Sequence, residues 1–166
     1  MTSGGVMTGT DPTTLPLDGL PEAASLAEVV VEGISITAVY FPLGDLHVPF
    51  WQTRFLRYAA TRMERLALIA GDWNTGRRAI DISTRPVPGE AEFAAFSESG
   101  WFDAWRAVHA DEREHSFVSP AGNGFRLDHA FLSPSLASRL LGADYIHETR
   151  EKAVSDHSAL LLRLAD

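Results

Sequence analysis

Between Glu28 and Pro42 the chain reads EVVVEGISITAVYFP. Val29-Val30-Val31, a turn at Glu32-Gly33, and then Ile34, Ile36, Ala38 and Tyr40 at every second position form the pattern of a β-hairpin. A hairpin alone is marginal in water, so this one demands further strands or covering helices. Pro49 followed by Trp51, Phe55, Tyr58, Ala59 and Met63 predicts an amphipathic helix over about 49–65, whose other face carries Arg54, Arg57, Arg62 and Arg65 as a solvated surface. Leu66-Ala67-Leu68-Ile69-Ala70 stops at Gly71-Asp72 as a buried strand does, and a turn follows at 73–76.

Further along, Pro88-Gly89 introduce a helix with Phe93 and Phe96 that Gly100 closes, and Trp101–Trp105 add core aromatics. Ser116-Phe117-Val118 predicts a short strand and 121–124 a turn. Arg126–Leu132 reads as a strand, Pro134–Leu141 as a short helix and Ser158–Leu164 as a last apolar strand. Residues 1–27 are rich in Gly, Thr, Pro and Ala and predict loop, with at most a strand at Gly5–Thr8; residues 28–166 read as a single domain. No repeat and no low-complexity tract interrupts it.

Composition narrows the chemistry. The 166 residues contain no Cys, which excludes disulfides, thiolate metal sites and cysteine nucleophiles and leaves oxygen or imidazole for any metal. A net charge of -8 argues against a general basic nucleic-acid surface, although 13 of the 14 basic residues are Arg, the side chain suited to bidentate phosphate contacts and also the one a GC-rich coding sequence produces. No apolar run approaches the ~20 residues of a membrane-spanning helix, no signal peptide is evident, and the expected location is cytoplasmic without a membrane partner.

The acidic residues fall at strand ends. Asp72 follows LALIA, Asp128-His129 precedes AFL, and Asp156-His157 precedes SALLL. In an antiparallel sheet the end of one strand lies beside the start of its neighbour, so these carboxylates can share one sheet edge, where Tyr40 joins them. Clustered carboxylates repel unless a cation neutralises them, which points to a divalent metal. A His beside a carboxylate is held in one tautomer near neutral pK, and an amide such as Asn74 can orient an oxygen nucleophile or a phosphate. The chemistry these residues suggest is metal-assisted hydrolysis of a phosphate ester. Each piece also has a plain alternative: Asp72 and Asn74 as turn caps, Ser155-Asp156-His157 as an ordinary turn, and Arg126 as a surface ion pair with Asp128. His47, His109, His115 and His147 carry no motif and read as structural or exposed, and the Trp and Phe residues as core.

Taken in order, Tyr40-Phe41-Pro42-Leu43-Gly44, Gly71-Asp72-Trp73-Asn74, Arg126-Leu127-Asp128-His129 and Ser155-Asp156-His157 resemble the later motifs of the endonuclease/exonuclease/phosphatase superfamily, most closely its exonuclease III branch. The resemblance runs from about Glu28 to the end. It implies an α+β fold: a two-sheet, mostly antiparallel β-sandwich flanked by helices in four α/β/β/α layers, deoxyribonuclease I-like. It also implies a magnesium or manganese cofactor and a DNA substrate, attacked at 3′ ends or abasic sites. By motif, His157 acts at the scissile phosphate, oriented by Asp128, and Asp72 handles the proton of the attacking water. Asn74 orients that nucleophile, Tyr40 contacts the phosphate and Arg126 contacts substrate or buttresses the site. Asp156, with Asp72 and Asn74, is the expected metal-binding set.

The family's first two motifs, a strand bearing a site Asn and a strand ending in a metal-binding Glu, have no counterpart. Neither Glu22 nor Glu28 ends an apolar run, and Ser3–Thr8 resembles the strand that follows those motifs. The expectation is therefore a sandwich lacking its N-terminal strands, with weakened metal binding and an exposed sheet edge open to pairing with another chain. Two alternatives accompany the DNA reading: a phosphatase or phosphodiesterase for a small or lipid phosphate ester, and a non-catalytic fragment.

Overall fold

The structure, a computed structural model, describes residues 13–14, 25–82 and 85–166. The strand expected at Gly5–Thr8 lies outside them. A short β1 (Thr13–Thr14) borders the hairpin of β2 (Ser25–Val31) and β3 (Ile34–Tyr40), in which Val31 pairs with Ile34 across the Glu32-Gly33 turn. Both turn residues have positive φ, as a tight reversal between twisted strands requires. The hairpin begins at Ser25, earlier than the Val29 at which its apolar pattern starts.

A helical crossover then runs through a 3-10 turn at Gly44–Leu46, α1 (His47–Phe50), a π-helical turn at Trp51–Phe55 and α2 (Leu56–Ala60). It is displaced from the expected 49–65. The wider π turn brings Phe50, Trp51 and Phe55 into the core together, all fully buried, and the helix stops at Ala60. Of its arginines, Arg62 does not belong to a solvated face: it donates to both carboxylate oxygens of Glu28 at 2.8 and 2.7 Å and lies over the Tyr58 ring.

The crossover returns the chain to β4 (Ala67–Asp72), parallel to β3. Next come α3 (Glu90–Ser97), β5 (Phe102–Asp103), α4 (Ala104–His109) and a small hairpin of β6 (Phe117–Val118) and β7 (Gly124–Phe125). The strand expected from Arg126 is β8, Asp128–Leu132. It lies antiparallel between β4 and β5, giving a sheet ordered β1-β2-β3-β4-β8-β5.

The expected helix over 134–141 is only α5 (Pro134–Ala137), capped by the Ser133 hydroxyl, and Leu140 already begins β9 (Leu140–Ile146). After α6 (Glu148–Glu151), β10 (Ala159–Leu164) pairs antiparallel with β9. The Gly142 and Asp144 that break the apolar pattern of β9 both serve Arg163. That side chain crosses Gly142, where an added Cβ would lie 2.3 Å from Nη2, and meets Asp144 at 2.8 Å.

Two cores flank the larger sheet. On one face, under α1, α2 and α3, Phe41, Trp51, Trp73, Phe93, Phe96 and Phe131 form a contiguous aromatic cluster with ring separations from 4.5 Å upwards. On the other, β8 packs with α4, α5, β9 and β10 through Ala130, Leu132, Trp105, Leu136 and Ala143. The expected sandwich of mostly antiparallel sheets with outer helices is thus present, its second sheet consisting of β9 and β10 among the described residues.

Gly71 sets the spacing at the end of β4. Its φ is +150°, and an added Cβ would stand 1.9 Å from the Val39 carbonyl oxygen of β3. Gly71→Ala is expected to lower the unfolding free energy by about 2 kcal/mol or more, read from the urea midpoint.

Candidate active site

Three strands deliver three side chains to one edge by register alone. Tyr40 ends β3 opposite Asp72, which ends the parallel β4, and Asp72 stands opposite Asp128, which opens the antiparallel β8. Tyr40 therefore arrives through parallel pairing, which aligns strand ends of the same sense.

Beyond Asp72 the chain reverses at Asn74, whose φ is +49°. The Asn74 N–H donates to Asp72 Oδ1 at 2.9 Å, and its Nδ2 donates to the Phe41 carbonyl at 2.9 Å. The turn-cap reading of Gly71-Asp72-Trp73-Asn74 is thus realised, and it fixes Asp72 and Asn74 against the loop after Tyr40. With its nitrogen committed, Asn74 can offer its amide oxygen. Trp73, fully buried, anchors the turn by donating Nε1–H to the His129 carbonyl at 3.1 Å.

His157 comes from the second sheet, two residues before β10, and its Nδ1 lies 2.7 Å from Asp128 Oδ2. A carboxylate at that position selects the Nδ1–H tautomer and leaves Nε2 as the basic nitrogen. Burial opposes the charged imidazolium, but the Asp128 hydrogen bond and charge, with Asp72 and Asp156 beyond, hold its pKa above the usual His range. Asp156 is exposed and acts on both Asp72 and His157 through its charge. Burial, followed by the charges of Asp128 and Asp156, pushes the Asp72 pKa up to about 6.

Arg126 is not available to substrate, and it is no surface ion pair with Asp128. Its side chain is 0% exposed. Nε donates to Asp81 Oδ1 at 2.7 Å, and Nη1 and Nη2 grip both oxygens of Asp103 at 3.2 and 2.6 Å. Arg106 also binds Asp81, and Asp103 caps α4 by accepting from the N–H groups of Trp105 and Arg106. Burial penalises Arg126, Asp81 and Asp103 as ions, yet their mutual attraction leaves the arginine pKa raised and both carboxylate pKa values lowered. Arg126 is a buttress. Asp103 before an Ala-Trp-Arg helix start carried a cap signal, but Asp81 had none.

Other unassigned residues also support the rim. Ser116 Oγ accepts from the N–H groups of Leu127 and Asp128 at 2.9 and 3.1 Å, and the Tyr145 hydroxyl donates to the Asp128 carbonyl. His129, next to Asp128, is fully buried against Thr75 and Asp103 and faces away from the site's chemistry. His47 is structural, as its lack of motif suggests: it bridges the Pro42 carbonyl and Trp51 Nε1, and burial lowers its pKa.

The donor chemistry suits a hard cation. Asp72 and Asp128 face each other at one strand end, and the Asp72 pKa is raised first by burial and second by the Asp128 charge. Among the described residues no group of three or more His, Asp or Glu is disposed to hold a metal. Magnesium is commonly held by only one or two carboxylates beside water and phosphate oxygens. No helix of the described residues is long and apolar enough to cross a membrane.

No family model matches the chain, and no curated protein does. Solved structures do. An AP endonuclease from Archaeoglobus fulgidus superposes with a TM-score of 0.73 at 21% identity, covering 85% of this chain and 65% of that one. The 3′ phosphatase NExo from Neisseria, bound to a product DNA hairpin, gives 0.74 at 20% identity over 96% of this chain and 72% of its own. The 3′-5′ exonuclease NExo from Neisseria meningitidis gives 0.71 at 21%, over 94% and 70%. The chain thus spans just under two thirds of the AP endonuclease. Its fold is the deoxyribonuclease I-like fold that these structures share.

Two outcomes test this electrostatic reading. A carboxyl pKa raised from 3.8 to about 6 contributes stability that is intact below 3.8 and lost as pH rises through 6. Metal-free Asp72→Asn, which keeps the turn acceptor, is therefore expected to melt above the native chain at pH 7.5, by about 2 kcal/mol, with the gap closing towards pH 4. Arg126→Ala takes the two-pronged cation from Asp103 and leaves Asp81 with Arg106 alone, and it is expected to cost about 3–5 kcal/mol in urea unfolding while leaving the KM of the folded fraction unchanged.

Proposed function

We propose that the chain is a divalent-metal-dependent phosphodiester hydrolase of the exonuclease III type, acting on DNA at 3′ ends or abasic sites. The observation that carries the reading is the 2.7 Å His157–Asp128 contact beside Asp72 at one sheet edge. The DNA-processing functions named for the three structural neighbours support the substrate class.

Each residue has a part in that chemistry. His157, held by Asp128, presents Nε2 to the scissile phosphate and stabilises its developing charge. Asp72, with a pKa near neutral, accepts a proton from the attacking water. The Asn74 amide oxygen orients that water, and the Tyr40 hydroxyl contacts the phosphate. Magnesium or manganese, held by Asp156 with Asp72 and Asn74, would supply charge neutralisation at the phosphate oxygens.

A second reading, a module completed by another polypeptide, is favoured by the inner face of β3 and β4. Ile34, Ile36, Leu68 and Ala70 there are only half-buried, and β10 is paired on one side only among the described residues. Light scattering distinguishes it by reporting an assembly larger than one chain.

The hydrolase reading is tested with an end-labelled duplex containing one abasic site. Cleavage is expected with magnesium, not with EDTA, and both His157→Ala and Asp72→Asn are expected to lower the rate at least about 100-fold. Cleavage by both variants at the native rate would overturn it. A phosphatase for small or lipid esters would instead turn over p-nitrophenyl phosphate or a lipid phosphodiester while leaving the duplex intact.

A further inference from the structure

His157 and Asp128 sit on different sheets, and no strand pairing joins β8 to β10. Their 2.7 Å contact must be set by something else. The segment Ser116-Phe117 is hydrogen-bonded to Asp128 and to Ser158, the residue that follows His157. The Ser116 hydroxyl accepts the N–H of Asp128 at 3.1 Å and that of Leu127 at 2.9 Å, fixing the start of β8. The Ser116 carbonyl accepts the N–H of Ser158 at 2.7 Å, fixing the residue after His157. Phe117 forms an antiparallel bridge with His157, and their rings lie 5.0 Å apart. Ser116 is 0% exposed, so water cannot take over its contacts.

We propose that Ser116 is a positioning residue of the Asp128–His157 pair: beside the Tyr145 hydroxyl that reaches the Asp128 carbonyl from β9, one buried side chain and one carbonyl tie the start of β8 to the segment that leads into β10. The inference deepens the hydrolase reading and rests on it for its kinetic consequence. A serine at this place does what the fold's own ladders do not, because its hydroxyl oxygen can accept two backbone N–H groups at once while its main chain reaches the second sheet. Alanine keeps the carbonyl link to Ser158 and deletes the link to Asp128, so the dyad loses one end of its clamp without losing the pocket that holds it.

The test uses the full chain and two variants, Ser116→Ala and Ser116→Cys, the latter keeping the side-chain volume with a weak acceptor. Two measurements are made on each. The first is magnesium-dependent cleavage of the abasic duplex. Ser116→Ala is expected to lower kcat about 100-fold with KM within about twofold, as a misplacement of about 1 Å does, and Ser116→Cys to fall between. The second needs no turnover: the downfield proton resonance of His157 Nδ1–H, assigned by its absence in His157→Asn, is expected in the native chain and lost or shifted upfield in Ser116→Ala at unchanged far-UV circular dichroism.

A native resonance in Ser116→Ala, or a kcat equal to that of the native chain, would overturn the proposal. If the native chain cleaves nothing, the hydrolase reading fails while the resonance still decides the positioning role.

Discussion

Asp72 and Asp128 stand directly opposite each other at the ends of adjacent strands, an arrangement that costs free energy whenever both are ionised. The cost shows in Asp72, whose pKa rises to about 6 through burial and the neighbouring carboxylates. Strand register allows neither side chain to leave. A shift of one residue would turn Asp72 to the other face of the sheet and expose Ile69 and Ala67, which are buried among the aromatics. Hydrophobic burial on one face thus enforces electrostatic strain at the edge, and His157 relieves part of it by donating to Asp128.

The same edge is supported from behind by charge of the opposite kind. Arg126 lies two residues before Asp128 and is tied to Asp81 and Asp103, so the entry to β8 is locked to the loop after β4 and to the cap of α4. The network is closed and compensated, whereas the rim is open and uncompensated. That contrast separates a structural ion cluster from a reactive one: Asp103 is kept ionised by its arginine against the penalty of burial, while Asp72 is pushed towards protonation by burial and then by the neighbouring carboxylates.

Much of this was legible in the sequence, and the parts that were not have physical reasons. The β2–β3 hairpin and β4 carry period-two or continuous apolar patterns closed by Gly turns, and they stand where those patterns put them apart from the earlier start of β2. Tyr40, Asp72, Asp128 and His157 were identifiable because each abuts an apolar run, which is where register matters most. β9 was hidden because Gly142 and Asp144 answer to Arg163 on the neighbouring strand, a contact that no local pattern carries. The helix after Pro42 was displaced because a π turn changes the period on which helix recognition depends. For Arg126 the sequence left substrate contact, surface ion pair and buttress open, because its two buried partners, Asp81 and Asp103, lie 45 and 23 residues away in the chain.

The chemistry of this edge depends on Asp128 holding His157 in a defined tautomer and charge state. The most direct measurement is a nitrogen-detected NMR titration of the His157 ring in the native chain and in Asp128→Asn. The neutral ring is expected to carry its proton on Nδ1, with a pKa above the ordinary histidine value that falls when Asp128 becomes Asn. A ring protonated on Nε2, or a pKa indifferent to Asp128, would contradict that dependence.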